Sequence, residues 1–229
     1  MRAELGTVVV TGGSSGLGAA VVGAVSEAGG HPFVLDRVPP RDGADHEVVD
    51  LADTPAAQDA VVRASQVNGG LHAVVTCAGM DACGRLDEVA SEDWERVIRV
   101  NLLGTAAVVR AALPHLERSG GRIVTVASTL GLRGVADATA YCASKFGVVG
   151  FTRALAAETA GRVGVTLLIP GGMRTAFFDG RPDRYRPPED AELSDPSDVA
   201  AAVVFVLRQP RGCEIRELLV APSQETSWP

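Results

Sequence analysis

Short runs of apolar, often β-branched residues alternate along the chain with longer segments of helical periodicity. The runs predict strands at 7–11, 32–36, 46–50, 71–76, 121–127, 163–169 and 216–220, and the segments between them predict helices at 16–28, 54–67, 91–100, 101–117, 139–160 and 196–208. Most of these strands are apolar on successive residues, which indicates that both faces of the sheet are covered. The alternation predicts an α/β fold: a doubly wound (Rossmann-type) parallel sheet of about seven strands with helices on both faces.

Three local signals refine this picture. Thr54 is a plausible N-cap ahead of Pro55, and the helix at 101–117 is expected to bend or end near Pro114. Residues 171–193 show no regular pattern, although they hold most of the late Pro, Arg and Asp residues. A stretch of that length inside a compact fold is usually a lid or a disordered loop. We therefore expect a single domain over 1–229 with a substrate lid at about 171–193.

Composition excludes several classes of protein. The chain has 229 residues, 46% hydrophobic and 21% charged, with a net charge of −7, which argues against a disordered chain, a nucleic-acid binder and a protein of anionic membrane surfaces. No apolar run approaches the ~18 residues of a membrane span, and no signal peptide is recognised. Four cysteines without a C-x-x-C spacing predict buried free thiols. The free thiols and the lack of a recognised signal peptide predict a cytoplasmic protein. The four histidines have no ligand spacing, so we expect no metal site.

A glycine-rich turn lies between the first predicted strand and helix. Glycines there allow a tight turn and let backbone N–H groups approach a pyrophosphate, and the helix start adds partial positive charge. The alternative is a tight turn without a ligand. The residues expected to contact a cofactor here are Gly12, Ser14, Ser15, Gly16, Leu17 and Gly18.

Asp36 ends the second predicted strand. A carboxylate at this position can accept hydrogen bonds from a ribose hydroxyl and would repel a 2′-phosphate, so NAD(H) is preferred to NADP(H). Arg37 follows and could attract that phosphate, and Asp36 could also be an ordinary solvated strand-end residue.

Together with motifs further along the chain, the glycine-rich turn resembles that of the short-chain dehydrogenase/reductase family, and the resemblance covers about residues 5–222. The matching residues, in the family's order, are Thr11-Gly12-x3-Gly16-x-Gly18, Cys77-Ala78-Gly79, Asn101, Ser128, Tyr141-x3-Lys145 and Pro170-Gly171. The Cys77 position departs from the family's usual Asn-Ala-Gly. A Tyr-x3-Lys pair alone is common by chance, but the whole set is highly specific.

The chemistry of the Tyr141–Lys145 pair follows from its spacing. At positions i and i+4 of one helix the two side chains share a face, and a nearby ammonium is expected to lower the pKa of the phenol. Tyr141 would then exchange a proton with the substrate oxygen. Lys145 is the one lysine among 21 Lys and Arg residues, which favours a specific role for its ammonium.

The resemblance implies further roles. By it, Ser128 holds the substrate oxygen beside Tyr141, and Asn101 interrupts its helix and supports a water-linked proton path through Lys145. Asp50 meets the adenine ring, with Leu51 beside it. The remaining implied cofactor contacts are the catalytic residues Asn101, Tyr141 and Lys145, the backbone of Cys77, Ala78 and Gly79, the Ile169 backbone, and the Pro170, Gly171 and Thr175 loop on the nicotinamide side.

The substrate side leaves alternatives open. Phe177 and Phe178 form an apolar pocket wall or pin the lid to the core, and Asp81, Cys83 and Arg85 face the pocket mouth or the solvent. The lid arginines bind a substrate anion, or, as their acidic neighbours favour, belong to a solvated, ion-paired loop; they are Arg174, Arg181, Arg184 and Arg186.

We therefore expect an NAD(H)-dependent oxidoreductase of secondary alcohols and ketones. The alternatives are an NADPH-dependent 3-oxoacyl-carrier-protein reductase and a catalytically silent dinucleotide-binding regulator. The apolar helices at 101–117 and 139–160, which pair with a symmetry mate in the family, predict a homodimer or homotetramer. Whether the carboxyl-terminal Trp228 docks on a partner stays open.

Overall fold

The computed structural model describes residues 5–227 and contains one seven-stranded sheet with six α-helices. The Trp228 question lies outside the described residues. The strands are β1 Thr7–Thr11, β2 His31–Asp36, β3 Asp45–Val48, β4 Leu71–Thr76, β5 Arg122–Val126, β6 Gly164–Pro170 and β7 Glu217–Val220. The helices are α1 Gly16–Glu27, α2 Thr54–Ala64, α3 Ser91–Ile98, α4 Thr105–Ser119, α5 Thr139–Glu158 and α6 Pro196–Leu207, with a π-helical segment, Arg99–Gly104, joining α3 to α4.

The strand order is β3-β2-β1-β4-β5-β6-β7, and every pairing is parallel. The predicted doubly wound sheet is therefore confirmed. The order reverses between β1 and β4, where the chain changes direction across the sheet. In open α/β sheets, ligands bind at such a reversal, beside the carboxyl ends of the strands.

Alternate strand residues supply two cores, one on each face of the sheet. Val8 and Val10 of β1 pack with α1 and α6 on one face, whereas Val9 packs with α2 and α4 on the other. A smaller cluster joins α5 to β6. This covering explains why the central strands are apolar on successive residues, while the edge strand β3 is mostly exposed.

Three local predictions need correction. The N-cap of α2 is Asp53, whose carboxylate accepts a hydrogen bond from the Ala56 N–H, so Thr54 is already the first helical residue. Pro114 lies inside α4, which continues to Ser119. Cys213 is exposed, although Cys77, Cys83 and Cys142 are at least partly covered and all four thiols are free.

The continuous helical stretch Ser91–Ser119 also corrects the sequence analysis. It is the one helix within residues 5–227 that is long and apolar enough to cross a membrane by length and composition, with a mean hydropathy of 1.4 in its most apolar window. Its apolarity has another physical reason, because Val108, Ala112 and Leu116 are buried in the core beneath the sheet. Core helices satisfy the same test.

Candidate active site

The glycine-rich turn follows β1 at the reversal of strand order. Gly12 and Gly16 have φ angles of +68° and +52°, in the region that favours glycine. A Cβ atom at Gly12 would lie 2.7 Å from the Ala78 Cα atom, and one at Gly18 would strike the Gly12 carbonyl. The turn is therefore packed so closely that side chains are excluded, which leaves its backbone open to a ligand.

The start of α1 lies at this turn. Ser15 is the N-cap residue, and its side chain makes no capping hydrogen bond among the described residues. The first turn of α1 carries no acidic residue, so its backbone N–H groups and positive dipole end suit a pyrophosphate. The Leu17 side chain is buried in the core, so only its backbone can take part in a cofactor contact.

Asp36 lies at the end of β2 and faces the glycine turn. Its Oδ2 atom accepts a hydrogen bond of 3.0 Å from the Ser14 N–H, and Oδ1 accepts one from the Arg37 N–H. The Ser14 hydroxyl donates to the Val38 carbonyl. These bonds hold the carboxylate at the cofactor end of the sheet.

The predicted adenine contacts have partners of their own. Asp50 accepts hydrogen bonds from the Ala52 N–H and from Arg96, which lies 2.6 Å from Oδ2. Burial alone would raise the pKa of the Asp50 carboxyl, but these hydrogen bonds and the Arg96 charge hold the pKa below its ordinary value. Leu51 is buried against Gly104 of the π-helical segment, so its side chain belongs to the core. Sequence analysis missed Arg96.

The chain after β4 lies directly beside the turn. The Ala78 N–H donates to the Thr11 hydroxyl over 3.1 Å, so the departure from Asn at Cys77 does not remove this link. Burial raises the pKa of the Cys77 thiol to about 12, with the Lys145 charge acting in the opposite direction. Cys77 is therefore a neutral thiol that packs at the carboxyl end of β4.

Asn101 lies in the π-helical segment, as its predicted role in interrupting the helix requires. It is 1% exposed, donates through Nδ2 to the Met80 carbonyl and the Ser144 hydroxyl, and accepts from the Met80 N–H. π-Helical turns often occur at functional sites. The Asn101 Oδ1 and Lys145 Nζ atoms both lie beside Gly79, each 3.7 Å from where a Cβ would project.

Tyr141 and Lys145 lie one turn apart on α5. The Lys145 ammonium is 5.6 Å from the centre of the Tyr141 ring and donates a 2.9 Å hydrogen bond to the Val126 carbonyl. Ser144, missed by sequence analysis, donates to the Tyr141 carbonyl and links it to Asn101. Ser128 follows β5 and caps a 3₁₀ turn, with its hydroxyl accepting from the Leu130 N–H.

The pKa values of the pair differ from expectation. Burial raises the pKa of the Tyr141 phenol to about 12, and the Ser128 hydroxyl only partly opposes this. Burial also lowers the pKa of the Lys145 ammonium to about 8. The pKa of Tyr141 is therefore raised rather than lowered as expected, because burial outweighs the opposing effects of the Ser128 hydroxyl and the Arg181 charge.

The base of the 171–193 segment joins this site to the carboxyl-terminal chain. Gly171 follows Pro170 of β6, and its N–H donates to the Val220 carbonyl. The Gly172 N–H donates to the Glu225 carboxylate over 2.8 Å, and Ser227 links Glu225 to the Thr129 hydroxyl beside Ser128.

Thr175 completes the predicted loop. A Cβ atom at Gly16 would lie 3.4 Å from the Thr175 side chain, so the two parts of the predicted cofactor site adjoin. The Thr175 hydroxyl also accepts from the Phe177 N–H. Glu225 had no detectable signal in the sequence, because nothing in its surroundings predicts that the tail returns to this loop.

The 171–193 segment covers Tyr141. Its ends are tied together, because the Arg174 N–H and the Ser194 N–H donate to the Ser194 and Gly172 carbonyls. The Phe177 ring lies 5.6 Å from that of Tyr141, and Phe178 packs edge-on against Phe177. Phe177 therefore holds the segment against α5 and also lies beside the phenol, so this contact fits both alternatives, the pocket wall and the pin.

Comparison with known proteins agrees with this geometry. The family described as short chain dehydrogenase matches residues 6–185. An uncharacterized oxidoreductase of Staphylococcus aureus is 31% identical over 226 residues, which is 93% of this chain and 96% of that protein. Glycine betaine reductase ATRR of Emericella nidulans is 31% identical over 236 residues, which is 95% of this chain but only 19% of that protein.

Among solved structures, a variant of the actinorhodin polyketide ketoreductase with NADPH superposes with a TM-score of 0.85 at 27% identity, over 99% of this chain and 100% of that one. The chain belongs to the short-chain dehydrogenase/reductase family. It is an NAD(P)-dependent oxidoreductase that acts on small-molecule substrates.

Proposed function

We propose that the protein transfers a hydride between NAD(H) and a secondary alcohol or ketone. The observation that carries this proposal is a continuous line of contacts from the glycine turn to an acid–base group. Gly12 packs on Ala78, Gly79 adjoins Lys145, and Lys145 lies beneath the Tyr141 ring. A dinucleotide held along this line would bring its reactive ring to the phenol.

The residues present fit a dinucleotide. The close-packed turn at Gly12 and Gly18, the uncapped start of α1, and the carboxylate of Asp36 match a pyrophosphate followed by a ribose. When bound, the nicotinamide supplies the hydride donor or acceptor. We assign the cofactor contacts as predicted, with Leu17 and Leu51 acting through their backbones.

Tyr141 is the proposed acid–base residue. With a pKa near 12 the phenol is protonated at neutral pH, so it is ready to donate a proton to a ketone oxygen during reduction. Ser128 holds the substrate oxygen beside it. Lys145 and Asn101, which flank Gly79, stabilise the buried end of the site and pass a proton onward through water.

Asp36 supports the preference for NAD(H). Its carboxylate lies beside the glycine turn at the end of β2, and a carboxylate at this position would repel a 2′-phosphate. The NADPH-dependent 3-oxoacyl-carrier-protein reductase is the second candidate, because a related ketoreductase was solved with NADPH and Arg37 follows Asp36. The charge of −7 disfavours an acidic carrier as partner.

A panel of alcohols and ketones with each of NAD⁺, NADH, NADP⁺ and NADPH, followed by nicotinamide absorbance, tests the proposal. We expect turnover with NAD(H) at least about tenfold above that with NADP(H). An acetoacetyl thioester belongs in the panel, and its efficient reduction by NADPH alone would favour the second candidate. Cofactor binding without any turnover would indicate the silent regulator.

A homodimer or homotetramer is also proposed. Leu103 and Phe146, on the π-helical segment and α5, are 48% and 46% exposed, and apolar side chains on a helix face often mark an interface. Light scattering measures the assembly, and a monomer at micromolar concentration would contradict the proposal.

A further inference from the structure

One arginine of the 171–193 segment is turned toward the site. The Arg181 side chain is 15% exposed, and its guanidinium lies 4.6 Å from the centre of the Phe177 ring and 4.8 Å from that of Phe178. Arg174, Arg184 and Arg186 are exposed, as expected for a solvated loop. Arg181 is therefore the exception among the four.

The Asp81 carboxylate faces Arg181 from the body of the protein. Its Oδ2 atom lies 3.1 Å from Arg181 Nη2, and its side chain is only 7% exposed. Cys83, beside it, donates to the same oxygen, and the Ala82 N–H donates to the other. Arg85 points into solvent. Asp81 thus faces Arg181 with Cys83 beside it, whereas Arg85 faces solvent.

Around Arg181 and Asp81, hydrogen-bond donors outnumber hydrogen-bond acceptors. Both Asp81 oxygens already accept a hydrogen bond from their own loop. A guanidinium carries five N–H donors. Nη2 of Arg181 contacts Asp81 Oδ2, but its N–H groups are poorly aligned with that oxygen and make no hydrogen bond within residues 5–227. A buried donor left in this way costs free energy, and an acceptor-rich ligand group would recover it.

The position of Arg181 relates it to the reaction. Phe177 contacts both the Arg181 guanidinium and the Tyr141 ring, so the cation is separated from the phenol by one aromatic ring. A substrate that places its reacting oxygen at Tyr141 would extend along Phe177 toward Arg181. The guanidinium lies against both rings, and those of its N–H donors that do not face Asp81 match the two oxygens of a carboxylate.

We propose that Arg181 is a specificity-determining residue and that the substrate is a hydroxy acid or oxo acid whose carboxylate pairs with it. The inference rests on the proposed function, because it names the substrate class of the same site. The five N–H donors of the guanidinium allow Arg181 to keep its contact with Asp81 while it binds the substrate carboxylate. A carboxylate is favoured over a neutral acceptor because its hydrogen bonds to a guanidinium are charge-assisted and can be bidentate.

Pyruvate, acetoacetate and levulinate, each compared with its methyl ester, provide the test with NADH as reductant. We expect kcat/KM for at least one acid to exceed that of its ester by about tenfold or more. Arg181→Gln should abolish this preference through a higher KM for the acid, with the ester changed less than about threefold. Arg181→Lys should retain part of the preference, because the charge remains without the planar fork.

Arg184→Gln is the matched control, since it removes the same charge from an exposed position of the same segment. It should leave the preference unchanged. Equal efficiency of acids and esters, or the same loss in both variants, would overturn the inference.

Binding separates this inference from the proposed function. Each acid should raise the Tm of the NADH-bound wild-type protein more than that of Arg181→Gln, whether or not it is reduced. Acid binding that depends on Arg181 without turnover would contradict the proposed function alone. Turnover of ketones without any Arg181-dependent binding of an acid would contradict the inference alone.

Discussion

The helical segments that carry Tyr141, Lys145 and Asn101 and the 171–193 segment hold side chains at the same site by different means. Tyr141, Lys145 and Asn101 lie on helices packed against the sheet, and Lys145 and Asn101 are almost fully buried. The 171–193 segment contains two 3₁₀ turns, Ala176–Phe178 and Asp183–Tyr185, and none of their residues is buried. It contacts the body through few side chains, chiefly Phe177, Arg181 and Tyr185.

This difference in burial separates the residues that carry out the reaction from those that select the substrate. A proton donor needs a fixed position, which burial in a packed core provides. A surface that admits and selects substrates must open, and segments with few buried contacts open at low cost in free energy. We therefore expect substitutions of Tyr141, Lys145 and Asn101 to lower kcat, and substitutions in the 171–193 segment to change KM.

The two tyrosines of the chain allow a matched comparison, because one lies in each region. Tyr141→Phe should lower kcat by about 10²–10⁴-fold, since it removes the proton donor, while the Kd for NADH changes less than about twofold. Tyr185→Phe removes only a 3.1 Å hydrogen bond to Asp137 and should raise KM by no more than about fivefold. Steady-state kinetics and NADH titration measure both, and similar kcat values in the two variants would refute the assignment.

Lys145→Met should separate activity from stability. We expect kcat/KM to fall by at least about a hundredfold, while the free energy of unfolding at pH 7 rises by about 1–3 kcal/mol. Burial lowers the pKa of this ammonium from 10.5 to about 8, and each unit is worth about 1.4 kcal/mol. Loss of the hydrogen bond to the Val126 carbonyl offsets about 1 kcal/mol of the gain.

The pH dependence of this effect has a definite sign. Between pH 8 and 10.5 unfolding takes up a proton at Lys145, so the stability of the wild-type protein rises with pH in that window. The advantage of the Met variant should therefore be full below pH 8 and shrink above it. Urea titrations at pH 7 and at about pH 9.5 measure it, and a variant less stable than wild type at pH 7 would contradict the burial argument.

Glu225→Gln should have the smallest effect, because Glu225 only attaches the base of the 171–193 segment to the carboxyl-terminal chain. The amide retains one acceptor for the Gly172 N–H but loses the charge, which strengthens such bonds by about a factor of two. We expect KM to rise by about two- to fivefold with kcat nearly unchanged. Glu192→Gln, on an exposed residue that also contacts the tail, is the control, and an equal effect there would make the Gly172 contact unimportant.

The sequence predicts the regions whose geometry is local. The glycine turn and the Tyr141–Lys145 spacing depend on neighbouring residues, and the parallel sheet follows from the alternation of strands and helices along the chain; the structure contains all three. The orientation of Arg181 could not be predicted, because four arginines share similar surroundings and only tertiary packing distinguishes them. The pKa of Tyr141 was predicted in the wrong direction, since burial depends on residues distant in sequence.

The solitary lysine has a practical consequence. A protease that cleaves only after lysine has one target bond in this sequence, between residues 145 and 146, and that bond lies in the interior of α5. The folded protein should resist digestion, and any opening of that helix should yield two defined fragments. The rate of digestion then measures how often the catalytic helix α5 opens, and a bound dinucleotide should lower that rate.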